Sequence, residues 1–205
     1  MHGFIAGYYK FSVWAMKLAY VNFLWIAFTL LGLGVLGFMP ATIAMFSVVR
    51  KWNNGEEEIP VFKTFWNTYR KEFLKANGFG LILFLSGYLL VLEFQILRLQ
   101  ENIIYFIVSF GVLAIFILYA IVLIYFFPIY VHFNLKITDY IKWPFIIGIV
   151  HPILTLFMMV GLVAIVYLIY VTIPAILFFF GGSVTAYFIM WGASKTFEKY
   201  EITEA

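Results

Sequence analysis

A bundle of α-helices set in a membrane is the fold class this sequence predicts, and three observations predict it. Of the 205 residues, 65% are hydrophobic and 11% charged, where an average soluble domain carries about 25% charged residues. The mean hydropathy is +1.02. The apolar residues also fall into runs of membrane length, a span needing about 20 of them. The 13 Lys or Arg and 10 Asp or Glu are too few to cover a soluble globule of this size. Disorder is excluded for the opposite reason, since it needs low hydrophobicity and high charge. The expected architecture is an all-α integral membrane protein with one polytopic domain over residues 1–205. It is a compact bundle of five to six transmembrane helices with a cytoplasmic amphipathic surface helix.

The first apolar run covers residues 18–49, far beyond the about 7–15 residues of a signal-peptide core, and it has no A-x-A cleavage site, so it is read as retained. It is too long for one comfortable span. Gly32, Gly34, Gly37 and Pro40 lie in its middle, where helix breaks are cheapest. The reading is two passes, about 14–34 and 36–52, the second short or re-entrant and ending at Arg50-Lys51-Trp52. A single tilted helix is the competitor. Further spans are expected at 79–97, at 103–127 (ended near Pro128), at 153–171 after a break at Pro152, and at 174–193. Basic residues choose the topology. With six passes and both termini in the cytoplasm, twelve Lys or Arg lie inside, Lys199 among them, and only Arg98 outside; five passes give ten against three. The positive-inside rule therefore favours six.

Between the second and third of these spans, Phe62, Phe65, Trp66, Tyr69, Phe73 and Ala76 recur with helical period on one stripe about 100° wide. Lys63, Arg70, Lys71 and Lys75 lie off it. This predicts a surface helix over 61–76 with Phe62, Trp66, Tyr69 and Phe73 at the membrane interface. Its polar face either anchors a loop or docks another protein, and the four basic residues are the docking candidates. A weaker version recurs at Phe133, Ile137, Tyr140 and Ile141.

Motifs for chemistry are sparse. Gly32-Leu33-Gly34-Val35-Leu36-Gly37 spells the dinucleotide fingerprint, but it follows an apolar helix rather than a strand, so it is read as a helix break or close-packing patch and not a nucleotide site. His2, His132 and His151 have no ligand spacing to one another or to a carboxylate. No Ser sits in a nucleophile elbow, and the absence of Cys removes thiolate chemistry. No metal, cofactor, nucleic acid or catalytic residue is expected, and the chain is not read as an enzyme. Glu93 is the one ionisable group placed inside a span, where a carboxylate suggests function by default. Arg98, Gln95, Gln100 and Glu101 nearby allow it instead to snorkel or pair near the outer interface.

Several stretches carry a resemblance. They are Leu18-Ala19-Tyr20-Val21-Asn22-Phe23-Leu24-Trp25, Phe38-Met39-Pro40-Ala41-Thr42, Val48-Val49-Arg50-Lys51-Trp52, Thr64-Phe65-Trp66-Asn67-Thr68-Tyr69-Arg70-Lys71, and later His151-Pro152 with Thr155. The chain resembles the YesL family of small bacterial polytopic membrane proteins, a family classed as a domain of unknown function. The resemblance implies a Gram-positive plasma-membrane protein encoded beside carbohydrate ABC importers. No catalytic or ligand residues come with it. The expected function is an accessory membrane subunit of an oligosaccharide ABC importer, modulating or stabilising its permease, with membrane lipids and permease chains as partners. The alternative is an independent small-solute channel or secondary transporter using Glu93 and the broken helices at Gly32, Gly34, Pro40 and Pro152.

Overall fold

The computed structural model describes residues 2–99, 102–172, 174–197 and 200. The expected roles of Gln100, Glu101 and Lys199 fall outside them. The described residues form seven helices: α1 (His2–Leu31), α2 (Val35–Asn53), α3 (Val61–Arg98), α4 (Ile103–His132), α5 (Asp139–Val150), α6 (Pro152–Thr172) and α7 (Pro174–Phe197). Five segments are long and apolar enough to cross a membrane, namely Gly7–Leu31, Val61–Arg98, Ile103–His132, Pro152–Val171 and Ala175–Phe197. This is a multi-pass helical membrane protein.

The sixth expected span is α2, and it holds the centre of the molecule. It packs against α1, α3, α4 and α7. Residues from Met39 to Phe46, together with Val48, Val49 and Trp52, are buried. A helix surrounded by protein does not need a lipid-facing stripe, which is why α2 tolerates Thr42, Ser47 and Arg50. Gly32 and Gly34 break the chain as expected. Leu33 and Gly34 take φ of 60° and 74°, a region in which L side chains are strained and Gly is not. The third glycine of the motif is needed for proximity: a Cβ on Gly37 would run into the backbone of Phe28 and Thr29, and one on Gly32 into Gly37. The false fingerprint is a tight helical hairpin. Pro40, expected as a break, is not one. It is buried six residues into α2, and the helix runs through it.

The largest correction concerns residues 61–76. They are not a separate surface helix. They are the first half of α3, whose 38 residues extend about 57 Å at 1.5 Å per residue. The stripe has the expected helical period, but it faces protein rather than a membrane surface. It continues through Phe65, Tyr69 and Ala76 to Phe79 and Leu83, all buried, so it is one protein-facing seam with no reason to stop at residue 76. Asn77 does not break the helix, because its Nδ2 donates to the Phe73 carbonyl at 2.8 Å. Phe28 of α1 anchors the seam, its ring lying 5.1–5.5 Å from those of Phe65, Trp66 and Tyr69. Tyr69 Oη donates to the Phe28 carbonyl at 3.1 Å.

Helix α4 is capped by Asn102, whose side-chain oxygen accepts from Ile104 N at 2.9 Å, and it continues through Pro128 to His132 rather than ending near Phe127. Residues 133–136 are irregular, and only Tyr140 of the weaker amphipathic pattern is buried. The break at Pro152 is real, with His151 between α5 and α6 and Pro152 at the first helical position, where a missing N–H costs nothing. Helix α7 runs beyond residue 193 to Phe197. A polar stitch ties it to α1. Asn22 is 1% exposed; its Nδ2 donates to the Phe178 carbonyl at 2.6 Å and its Oδ1 accepts from Ser183 N at 3.0 Å. Gly182 makes this possible, since a Cβ there would lie 2.8 Å from that Oδ1.

Candidate functional site

Around α3, at about 100° per residue, the core seam is flanked by a row of polar residues: Thr64, Thr68, Lys71, Glu72 and Lys75. This row faces Ser47 and Arg50 of α2, the end of α4 at Tyr130 and His132, Asn134 in the following loop, and Tyr140 of α5. Together they line an open cleft of about 470 Å³, within the size range of small-ligand sites.

Arg50 builds its floor. Its Nη1 donates to the carbonyls of Val131 at 2.6 Å and His132 at 3.3 Å. These belong to the last turn of α4, whose carbonyls lack intrahelical donors and carry the negative end of the helix dipole. A guanidinium has five N–H donors, so Arg50 retains Nε and Nη2 with no acceptor among the described residues. Across the cleft, Ser47 and Thr68 hydroxyls share a hydrogen bond of 2.9 Å. Lys75 lies half-buried, 4.4 Å from the centre of the Tyr140 ring and 5.1 Å from that of Tyr130. Tyr130 Oη donates to Glu72 Oε2 at 2.7 Å, and Tyr140 Oη accepts from Leu135 N while donating to the Phe133 carbonyl. Lys51, at the rim, pairs with Glu56 at 3.8 Å. Lys71 is exposed and has no partner among the described residues. His132 Nδ1 is buried without a hydrogen-bond partner. Its ring packs on Phe133 and Phe197 and separates this cleft from a neighbouring one bounded by Asn53, Ser194 and Lys195.

The sequence-expected residues divide among several places. Lys71 and Lys75 line the cleft. Lys63 and Arg70 are exposed on a different side of α3, about 100° away around the helix axis. Of the four expected membrane-interface aromatics, Tyr69 is buried and Phe73 packs against the core. Phe62 and Trp66 remain 50% and 40% exposed. At Tyr69 and Phe73 the neighbour is therefore protein rather than lipid. Glu93 is exposed near the far end of α3, remote in sequence from every cleft residue on that helix. Sequence reasoning missed Ser47, Thr68, Glu72, Tyr130 and Tyr140 as site residues. The signal in α3 was legible, because Thr64, Thr68, Lys71, Glu72 and Lys75 sit at i, i+4, i+7, i+8 and i+11. The contributions of α2, α4 and α5 depend on tertiary packing and leave no local trace.

Comparison with known proteins follows the same division. The family model described as "Protein of unknown function, DUF624" matches residues 18–94, which cover the second half of α1, all of α2 and nearly all of α3. Relatives from Bacillus subtilis (strain 168) match almost the whole chain. The uncharacterized protein YesV is 38% identical over 188 residues, 91% of this chain and 89% of the relative. The chain belongs to the YesL-like DUF624 family. The uncharacterized protein YesL is 36% identical over 182 residues, 89% of this chain and 86% of its own. The uncharacterized protein YteU is 38% identical over 178 residues, 87% of this chain and 79% of its own. No solved structure matches. In this YesL-like bundle the DUF624 segment supplies Ser47, Arg50, Thr68, Lys71 and Lys75, while the cleft wall formed by Tyr130 and Tyr140 lies outside it.

Proposed function

We propose that this YesL-like protein is an accessory membrane subunit of a carbohydrate ABC importer, contacting the permease through the exposed face of α3 and carrying out no catalysis itself. The importer is what the resemblance to the YesL family implies. The observation that carries a docking role is the pair Lys63 and Arg70: both are exposed, neither has an acidic partner among the described residues, and Leu74 beside them is 85% exposed. Unpaired cations bordering an apolar side chain on a long straight helix suit an acidic, partly apolar partner surface. The sequence carries no P-loop, so ATP-driven work belongs to the partners. Lys17, Arg50, Lys51, Lys75 and Lys195 gather at the end of the bundle where Lys17 meets Glu57 and Asn53 meets Ser194, with Arg98 at the other end of α3. This supports a bacterial plasma-membrane protein with both termini and the cleft on the cytoplasmic side.

The alternative of an independent channel or carrier loses two supports, since Glu93 is on the outer surface of α3 and the helix is unbroken at Pro40. Double charge reversal, Lys63→Glu with Arg70→Glu, tests the accessory reading. Permease chains are expected to co-purify with the native protein in mild detergent and to be lost from the variant at equal membrane insertion. Undiminished co-purification, or solute flux through liposomes holding this chain alone, overturns it.

A further inference from the structure

We infer that the cleft between α2, α3 and α4 binds a phosphate group. Its cations exceed its anions. Arg50, Lys51, Lys71 and Lys75 face two carboxylates, Glu56, which pairs with Lys51 and also acts on Arg50, and Glu72, which already accepts from Tyr130. Unneutralised like charges around one cavity repel, and an anion placed among them relieves the repulsion. Uncommitted donors converge on the same space: Arg50 Nε and Nη2, the Lys71 ammonium, the Thr64 hydroxyl, and the amides of Asn67 and Asn134. These have no hydrogen-bond partner among the described residues, whereas Ser47, Thr68, Glu72, Tyr130 and Tyr140 are engaged with one another or with backbone.

The number and type of these groups select the ligand chemistry. Two or three cations with several neutral donors match a phosphate, with its multiple oxygens and charge up to −2, better than a single carboxylate. A nucleobase or sugar ring is disfavoured as the main determinant, because Lys75 lies over the rings of Tyr130 and Tyr140, which are 6% and 2% exposed. They offer no free aromatic face. The phosphate has two possible sources, an anionic lipid headgroup or a water-soluble phosphate ester. The inference does not rest on the importer reading, and its test contains no partner chain, so each can fail alone.

The test uses the full chain purified in nonionic detergent. Inorganic phosphate is titrated against it, and phosphatidylglycerol is offered against phosphatidylcholine in mixed nanodiscs, with bound lipid read by native mass spectrometry. Saturable binding of phosphate, or preferential retention of phosphatidylglycerol, is expected; the first assigns a soluble ester and the second a lipid. Lys71→Gln removes one charge-assisted contact and is expected to weaken that binding about tenfold. Because Lys71 is exposed, the variant folds normally, and an unchanged melting temperature without probe verifies this. Lys63→Gln, outside the cleft, is expected to leave affinity unchanged. The inference is overturned if neither probe binds, if Lys71→Gln binds like the native chain, or if Lys63→Gln weakens binding as much.

Discussion

Asn22 and Arg50 each tie two helices together inside an apolar bundle, and they do so in opposite surroundings. Asn22 is enclosed, and its amide is matched on both sides by backbone of α7, one donor to Phe178 and one acceptor to Ser183. Arg50 reaches the exposed carbonyls of α4 with one nitrogen and keeps the rest of its donors beside an open cleft with Lys71 and Lys75. In the first region polarity is used up by the fold. In the second it exceeds what the fold consumes. A saturated polar group in an apolar interior acts as structure, because removing either half leaves an orphan; an unsaturated set at an accessible surface is available to something else. The same residue types thus read as scaffold or site according to whether their hydrogen-bonding capacity is closed.

Substitutions sharpen the contrast, beginning with the largest effect. Asn22→Leu strips the Phe178 carbonyl and Ser183 N–H of their partner within a packed interior. A loss of about 2–3 kcal/mol is expected, read as a lower thermal midpoint in detergent, with phosphate affinity unaltered. Gly182→Ala attacks the same stitch sterically by placing a methyl group 2.8 Å from Asn22 Oδ1. Here about 1–2 kcal/mol is expected, and combining it with Asn22→Ala should cost less than the two separately, since both remove one contact. Tyr125→Phe deletes one hydroxyl from the buried pair with Thr155 (3.0 Å). Because the single Thr155 hydroxyl proton keeps the Gly148 or His151 carbonyl as its acceptor, about 1 kcal/mol is expected from chemical denaturation. Lys71→Gln lies at the bottom of the series: within about 0.5 kcal/mol of native stability, with its effect confined to anion binding. A large destabilisation by Lys71→Gln, or a negligible one by Asn22→Leu, would erase the distinction between the two regions.

The same distinction explains what was legible in the sequence. Hydropathy located the spanning helices because each is long enough for the bilayer to impose its own composition; α5, at 12 residues, is too short for that and is not among the expected spans. The glycines at 32, 34 and 37 located the hairpin because positive φ and close approach are local demands. The aromatic stripe from Phe62 to Ala76 gave the right face of the right helix, yet lipid and a neighbouring helix present the same apolar requirement. Period alone therefore could not separate a membrane surface from Phe28 and α2. Pro40 and Pro128 misled in the other direction: a helix segment packed against neighbouring helices, as around both prolines, can retain a proline that an isolated one would not. Half of the cleft lay in one readable helical row on α3. The other half, Ser47, Arg50, Tyr130 and Tyr140, is distant in sequence and becomes a site only through the packing of α2 against α4.

The enclosure of α2 has a consequence for how the protein is made. Helices leave the ribosome in order, and α2 follows α1 immediately, but three of the four helices that surround it, α3, α4 and α7, are synthesised later, α7 last of all. Thr42 is already satisfied inside the α1–α2 hairpin by Trp25 and the Phe38 carbonyl, but until then the Ser47 side chain and the Arg50 end must wait in lipid or at its surface. The tight turn at Gly32, Leu33 and Gly34 and the Trp25–Thr42 hydrogen bond already join α2 to α1, so the hairpin is the one contact α2 can make before α3 is synthesised. Truncation after α6 should leave a chain that inserts but exposes α2 to membrane proteases, and restoring residues 174–197 should close the last side.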